Sequence, residues 1–411
     1  MSIFELPIDI RFNILALLPL PDLLNFCKSN SECAKVINSE KFWLRKLVLD
    51  FPAYVKLKPQ QRKSKEWYQR IYQSGDAYMV DDPHETKSTF IASNVWKCFY
   101  VDFEVIFYID IFNTLYLIAR KNLPKNLALG HWKELIPSFE SKEFRNIKLQ
   151  ENVIDFYIGK HFTAYLSTDG ILSTTGCHIN DDNDGFVPKV RDIKKILSNG
   201  EESVCLLLDN ENNLLWLDDA TTLDKIDSNV TSAAVDWNDD YAVIYYVKKG
   251  GLWEFYPKPI VKTKTLKTPS CHPTDCKSKA KYVYNLLFEQ DVKTVSSMSY
   301  FLVILDTKNC IYFHHKRNFH PKEKYKNDHY GDRKSENLRL AGFDQKHLAT
   351  HNFVQVLSNT RFGAILFLDD NNNMYILDEL NLDDKLKPLH CSVSQIFTSY
   401  YHCFIKKRSN I

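Results

Sequence analysis

Asp110-Ile111-Phe112-Asn113-Thr114-Leu115-Tyr116 is the stretch on which the fold turns. The same frame returns as Asp306-Thr307-Lys308-Asn309-Cys310-Ile311-Tyr312 and as Asp369-Asp370-Asn371-Asn372-Asn373-Met374-Tyr375. Looser copies run from Asp209 to Leu215, Ser167 to Ser173 and Val247 to Trp253. The fourth position is Asn113, Gly170, Asn212, Gly250, Asn309 or Asn372, always Asn or Gly. These residues accept a positive φ at least cost, and a hairpin made of a type I turn plus a bulge needs one there. Positions six and seven are mostly apolar or aromatic, as a returning strand requires. Each copy is predicted to be a β-hairpin.

Outward from the hairpins the pattern continues. Upstream of each, a short apolar run begins at Val95, Val153, Ile193, Val230, Val292 or Phe353, and Val393 opens a seventh unit. The spacings range from 37 to 62 residues. Irregular repeats of that length, each of a few strands, point to propeller blades, with a large β-sandwich as the competing reading. Strand-length runs such as Val105–Ile109, Val204–Leu208, Tyr241–Val247, Phe301–Leu305 and Ala364–Leu368 fit either. The seventh unit holds Val393, Ile396 and the run His402 to Ile405, and lacks a hairpin and return strand before Ile411. The stretch Gly75-Asp76-Ala77-Tyr78-Met79-Val80 supplies one, with Gly75 at the fourth position, Ala77 at the sixth and Tyr78 at the seventh. A ring closed by mixing N- and C-terminal strands leaves no exposed sheet edge. The expectation is seven blades over residues 75–411.

The first 75 residues or so read differently. Runs at Ile8 to Leu18 and Lys41 to Leu49 have helical spacing. Pro7 suits a helix start, and helix 1 is predicted to reach about Leu18. Ile10, Ile14, Leu17 and Leu18 share one side of it; Ile8, Phe12 and Leu15 lie on another. One amphipathic face cannot hold them all. Pro19 and Pro21 end this helix, Asp22 is placed to cap a second over Leu23 to Lys28, and a third holds Cys33, Val36 and Ile37. A unit of about 45 residues cannot bury so much apolar surface alone. The surplus faces the chain's own β half or a partner, and spacing leaves both open. The predicted fold is α+β multidomain: an all-α module at 1–50, a helical linker at 51–74 and an all-β propeller at 75–411.

Composition narrows the function classes. The chain has 411 residues, 44% apolar and 25% charged, which excludes a mostly disordered protein. No uncharged apolar run reaches about 18 residues, so no spanning helix is expected. The N-terminus lacks the basic and apolar segments of a secretion signal. The 10 cysteines then read as reduced thiols, and a cytoplasmic or nuclear location is expected. A net charge of +2 gives no general argument for nucleic acid. No Walker loop, dinucleotide fingerprint, nucleophile elbow or zinc-protease helix occurs, so no enzyme activity, catalytic residue or cofactor is expected.

Two resemblances carry the reading further. The unit Val153 to Pro188 has Gly159, His161, Ala164, Asp169-Gly170, Gly176, Asn180, Gly185 and Pro188. It resembles the regulator-of-chromosome-condensation repeat, a seven-bladed propeller family closed by N- and C-terminal strands. The other units keep the apolar skeleton and lose the glycines, and the family's functional loop has no match here, so the prototype's nucleotide-exchange activity is not implied. At the N-terminus stand Leu6-Pro7-Ile8-Asp9-Ile10, Ile14-Leu15, Leu18-Pro19-Leu20-Pro21-Asp22-Leu23-Leu24, Phe26-Cys27, Cys33 and Phe42-Trp43. In order and spacing they resemble the F-box. F-boxes bind the Skp adaptor of cullin–RING ubiquitin ligases, and the matching contact positions are Leu6, Pro7, Ile10, Ile14, Leu15, Leu18, Leu20 and Leu24. The implied function is substrate recognition for a Skp–cullin–F-box ligase, with the target protein on the propeller. The alternatives are a propeller that regulates or scaffolds a small GTPase, and an F-box protein that sequesters Skp without supporting ubiquitination.

Weaker signals read as structure. Cys271-His272 with Cys276, and His314, His315 and His320, lack a second matched pair of metal ligands, so no metal is expected. The run Asn180 to Gly185 resembles a calcium loop but has Arg191 where a Glu belongs. Three connections are long, at about 117–151, 257–290 and 315–351. The segment Pro257–Lys281 has seven lysines and one acid, Asp275. Lys258, Lys262, Lys264 and Lys267 are its candidate contacts to an acidic or phosphorylated target.

Overall fold

The fourth-position residues adopt the left-handed backbone that the hairpin frame demands. φ is 69° at Asn113, 79° at Gly170, 62° at Asn212, 78° at Gly250 and 65° at Asn372. The computed structural model describes residues 5–59, 62–80, 88–102, 105–119, 129, 132–135, 145–159, 162–176, 186–197, 204–218, 222–238, 241–256, 283–288, 291–298, 301–308, 310–315, 351–359, 364–378, 387–398 and 403–407. Asn309 and the lysine-rich segment lie outside them, as do Cys271, His272, Cys276, His320 and the run Asn180 to Gly185.

The first position of the frame has its own role. Asp110 Oδ1 accepts from the backbone N–H of Phe112 and of Thr114, both at 2.8 Å. Asp209 does the same for Glu211 and Asn213, and Asp306 for Lys308 and Cys310. Asp369 Oδ1 accepts from Asn373 N–H at 2.7 Å. A carboxylate here satisfies turn donors that have no strand partner.

A further contact links each hairpin to the next unit. The carbonyl of the fourth residue accepts from the N–H that opens the following repeat. The pairs are Asn113–Val153 at 2.8 Å, Gly170–Ile193 at 3.1 Å, Asn212–Val230 at 3.0 Å, Gly250–Val292 at 2.8 Å and Asn372–Val393 at 2.8 Å. The turn thus ends one sheet and fixes where the next begins.

Six helices precede the sheets in the described part of the chain: α1 (Ile8–Leu17), α2 (Leu20–Ser29), α3 (Ser31–Ile37), α4 (Glu40–Asp50), α5 (Pro52–Val55) and α6 (Ser64–Gln73). α2 starts three residues before the expected Leu23. Pro19 is its N-cap and Pro21 lies in its first turn, where a missing N–H costs nothing, so Asp22 sits inside the helix. Side-chain caps do open the next two: Asn30 Oδ1 accepts from Cys33 N–H and Ser39 Oγ from Phe42 N–H.

The strands follow as antiparallel sheets. β1 (Gly75–Val80), β2 (Thr89–Asp102), β3 (Val105–Asp110), β4 (Leu115–Ala119) and β5 (Arg145–Gln150) come first, with the short α7 (Trp132–Leu135) between the last two. β6 (Val153–Ile158) to β9 (Val187–Val190), with β7 (Phe162–Ser167) and β8 (Leu172–Gly176), form one four-stranded sheet. β10 (Ile193–Ile196), β11 (Val204–Asp209), β12 (Leu214–Asp218) and β13 (Thr222–Asp227) form another. So do β14 (Val230–Asn238), β15 (Tyr241–Lys248), β16 (Gly251–Tyr256) and β17 (Val283–Phe288). β18 (Val292–Met298), β19 (Phe301–Asp306) and β20 (Ile311–His315) make three strands among the described residues. β21 (Phe353–Asn359), β22 (Ala364–Asp369), β23 (Met374–Asp378) and β24 (Lys387–His390) make four. β25 (Val393–Thr398) and β26 (Cys403–Lys407) complete the chain. Except for Val95, inside β2, every expected repeat start is the first residue of a strand.

The last two strands join the first five. The order of that sheet is β25-β26-β1-β2-β3-β4-β5. β1 lies antiparallel to β26, with Asp76 opposite Lys407 and Val80 opposite Cys403. The stretch expected to pair with the C-terminal strands therefore does so, within one seven-stranded sheet. Gly75 is not in the left-handed region expected at a fourth position; it opens β1 and pairs with Val95. β2 serves both ends. Thr89 to Val95 pair with β1, and Val95 to Asp102 pair with β3.

Apolar cores pass from sheet to sheet in chain order. Phe107 of β3 meets Phe156 of β6 with ring centroids 5.1 Å apart, and Leu207 shares a core with Phe162. Ile244 then joins Leu206, and Val303 joins Phe353. Val80 of β1 lies in one core with Leu366 and Ile405. This is a propeller-like array of small sheets behind a helical module.

Candidate functional site

The helical module is built on α4. Phe42 and Trp43 are buried, and Trp43 Nε1 donates to Ile37 O at 2.5 Å. Phe12 of α1 meets Phe42 edge-on at 5.3 Å. Leu20, Leu23, Cys27, Cys33 and Ile37 complete the core from α2 and α3. Burial pushes the Cys27 thiol up to about 11, with Cys33 beside it adding to the shift. Both cysteines are therefore core groups and not nucleophiles.

A fully buried lysine holds α1 on α4. Lys46 Nζ donates to Ala16 O at 3.1 Å and Leu18 O at 2.6 Å, and pairs with Asp50 at 2.9 Å. It caps the C-terminal carbonyls of α1, which lack helical partners. Asp50 in turn accepts from the Tyr68 hydroxyl on α6.

α1 is apolar on both sides, so covering one leaves the other bare. Leu15 is 1% exposed, whereas Leu17 is 71%, Ile8 61% and Ile10 46% exposed. Of the contact residues expected from sequence, Pro7 and Ile10 are exposed, and Leu6, Ile14, Leu18 and Leu24 are half-buried. Leu15 and Leu20 lie in the module's own core. Ile8 and Leu17 are exposed as well but are not among the residues expected from sequence. Leu17 follows from the two-sided apolar pattern of α1, whereas Ile8 lies on the side of Phe12 and Leu15 and is exposed as the first residue of the helix, one turn before Phe12 meets Phe42.

The other side of the module rests on the sheets. Ile111, at the second frame position, is fully buried in the helical core with Trp67 and Ile71. Arg62 Nη1 donates to Ile111 O at 2.9 Å, and the Tyr54 hydroxyl donates to Asn94 Oδ1 at 2.9 Å. Arg70 stacks over Trp96 at 3.5 Å. α5 and α6 therefore seat the module against the first hairpin, while the bare side of α1 is left open. Lys258, Lys262, Lys264 and Lys267 fall outside the described residues. Among the described residues no three His, Cys, Asp or Glu side chains converge as a metal site, and no helix is long and apolar enough to cross a membrane.

Fold and site together define the class: a small helical module with a bare apolar face ahead of a propeller-like array. Residues 3–45 match the F-box domain, so the chain carries an F-box. The array is similar to Prp20p from Saccharomyces cerevisiae, in a structure described with its binding properties to Gsp1p and histones. That match has 11% identity and a TM-score of 0.51, covering 82% of this chain and 93% of that one. Yeast RCC1 (Prp20) bound to Kap60 matches at 11% identity and a TM-score of 0.52, over 84% and 92% of the two chains. At such identity the likeness is one of fold. No curated protein matches the sequence.

Proposed function

We propose that the chain is a substrate-recognition adaptor of a Skp–cullin–F-box ubiquitin ligase. The F-box docks on a Skp-type adaptor, and the β half holds the target protein. The chain performs no chemistry of its own. It raises the concentration of target lysines near the charged conjugating enzyme. The single observation behind this reading is the bare apolar face of α1, where Leu17 is 71% exposed in an F-box otherwise seated on its own sheets. The proposed contact set is Leu6, Pro7, Ile8, Ile10, Ile14, Leu17, Leu18 and Leu24, with Leu15 and Leu20 holding the face from beneath.

In this reading residues 1–50 are the F-box, 51–74 the linker and 75–411 a propeller of seven blades, closed where β1 lies on β26. The protein works in the cytoplasm or nucleus. The test is capture of a purified Skp-type adaptor by the full chain, beside an Ile8→Asp, Leu17→Asp double variant. Both positions are exposed, so circular dichroism is expected to be unchanged while adaptor binding falls at least tenfold. Failure of the wild type to bind would overturn the ligase reading.

A further inference from the structure

A cavity of about 350 Å³ opens where the F-box linker meets the seam between the two ends of the β half. α6 contributes Tyr72 and Gln73, β25 contributes Ser394 and Gln395, and the lysines Lys97 and Lys406 come from β2 and β26. Its volume lies in the range of about 300–1,000 Å³ typical of small-molecule sites. Its lining is one-sided: two lysines, neutral hydrogen-bonding groups and no carboxylate among the lining residues.

Both lysine side chains are held in place. Lys406 is 2% exposed, and its Nζ donates to Trp96 O and Gln395 Oε1, both at 2.8 Å. Lys97 Nζ pairs with Asp155 at 3.0 Å. The same Asp155 oxygen also accepts from Ile196 N–H at 3.0 Å, so one carboxylate serves both a lysine and the backbone. Trp96, a further wall of the cavity, lies beneath the guanidinium of Arg70. The Nε and Nη2 of Arg70 are buried without a hydrogen-bond partner. Burial, with Arg62 nearby, pushes Arg70 down to about 9. Burial pushes Lys406 down to about 7, with Lys97 adding to the shift. Burial is the larger cause of both shifts, and a neighbouring cation adds to each.

We propose that this cavity binds a small anion bearing a phosphate group, clamped between Lys97 and Lys406 and bridging α6 to both ends of the β half. Ammonium groups with amide and hydroxyl neighbours suit tetrahedral oxyanions, which accept several hydrogen bonds at once. Bound there, the anion touches the F-box linker and the closing strands together. It is therefore a ligand that ties the F-box to the substrate-binding half. The site stands on its own geometry and does not depend on adaptor binding.

Calorimetric titration of the full chain at low salt, with pyrophosphate and with a phosphoserine peptide, tests this. Gln73→Glu and Lys97→Gln are the variants. Gln73 is exposed, so its variant keeps the fold and adds a repelling carboxylate at the rim. Saturable binding of either probe by the wild type is expected, weakened roughly tenfold or more in both variants. A tighter pyrophosphate would mark a free small ligand; a tighter peptide would mark a phosphorylated protein segment. Absence of binding by both probes at millimolar concentration would overturn the proposal. So would binding of equal strength in the wild type and Gln73→Glu.

Discussion

At Asn113 the side chain contributes little and the backbone nearly everything. Its Oδ1 is buried without a hydrogen-bond partner, while φ is 69° and its carbonyl accepts from Val153 N–H. Asn113→Gly is therefore expected to be almost neutral, and Asn113→Ala to cost about 1–2 kcal/mol in urea unfolding. Equal losses in the two variants would refute a conformational role. Asp369 is the opposite case, a side chain 1% exposed that accepts from Asn373 N–H, Asn373 Nδ2 and the Tyr375 hydroxyl. Asp369→Ala strands these donors and is expected to cost about 2–3 kcal/mol, with Asp369→Asn milder. A thermal melt within a degree of wild type would contradict this. The fourth-position residues were readable in sequence because their φ requirement is local and restricts them to Asn and Gly. The first-position Asp is visible too, but its turn-capping role emerges only from the hydrogen bonds of the folded chain. The carbonyl link from one repeat to the next could not be read, because backbone atoms carry no sequence signature.

Among the elements, α1 shows what a short helix needs to dock when most of its length is apolar. Its last carbonyls end in a dry interior, and Lys46 is the cation that meets them. Lys46→Met removes the charge from three partners: Ala16 O, Leu18 O and Asp50. Asp50 is partly exposed, so water offsets part of the loss. The expected cost is about 3 kcal/mol, at the low end for a broken buried pair. It should appear as early loss of helical signal and of protease resistance in the first 50 residues. Unaltered protection there would show that Lys46 is dispensable. This contact was hidden in sequence, since a lysine amid Trp43, Leu44 and Leu47 reads as a solvent-facing helix position. The start of α2 was misplaced for a related reason. Pro19 and Pro21 read as breakers in sequence, whereas a proline at a helix N-terminus lacks only a donor that would go unused. The candidate docking face is half legible: the motif marks Pro7 and Ile10, while the exposure of Leu17 follows from which side of α1 meets α4 and that of Ile8 from its place at the helix start.

For the whole molecule the decisive joint is the one between its two ends. β2 pairs with β1 along its first half and with β3 along its second, so one seven-stranded sheet runs from β25 through β2 to β5. The sequence placed Gly75–Val80 as the missing return strand. It did not reveal that one long strand would pair with both β1 and β3, because a long strand and two short ones have the same alternation. Lys406 sits at this joint, and its Nζ reaches Trp96 O across 310 positions of chain. In the unfolded chain its ammonium titrates near 10.5; burial lowers this to about 7 in the fold. Below about pH 7 both states hold the proton, and the burial penalty is constant. Between about pH 7 and 10 the unfolded chain binds the extra proton, so stability rises with pH over that window, by up to about 1.4 kcal/mol per unit. In Lys406→Met the penalty is absent and this part of the slope vanishes. Urea midpoints at pH 6, 7, 8 and 9 for both proteins isolate the effect, since every other titrating group is common to them. A wild-type curve that rises above pH 7 beside a flatter variant curve is the expected outcome. Parallel curves would mean that Lys406 reaches solvent and that the seam between β26 and β2 is open.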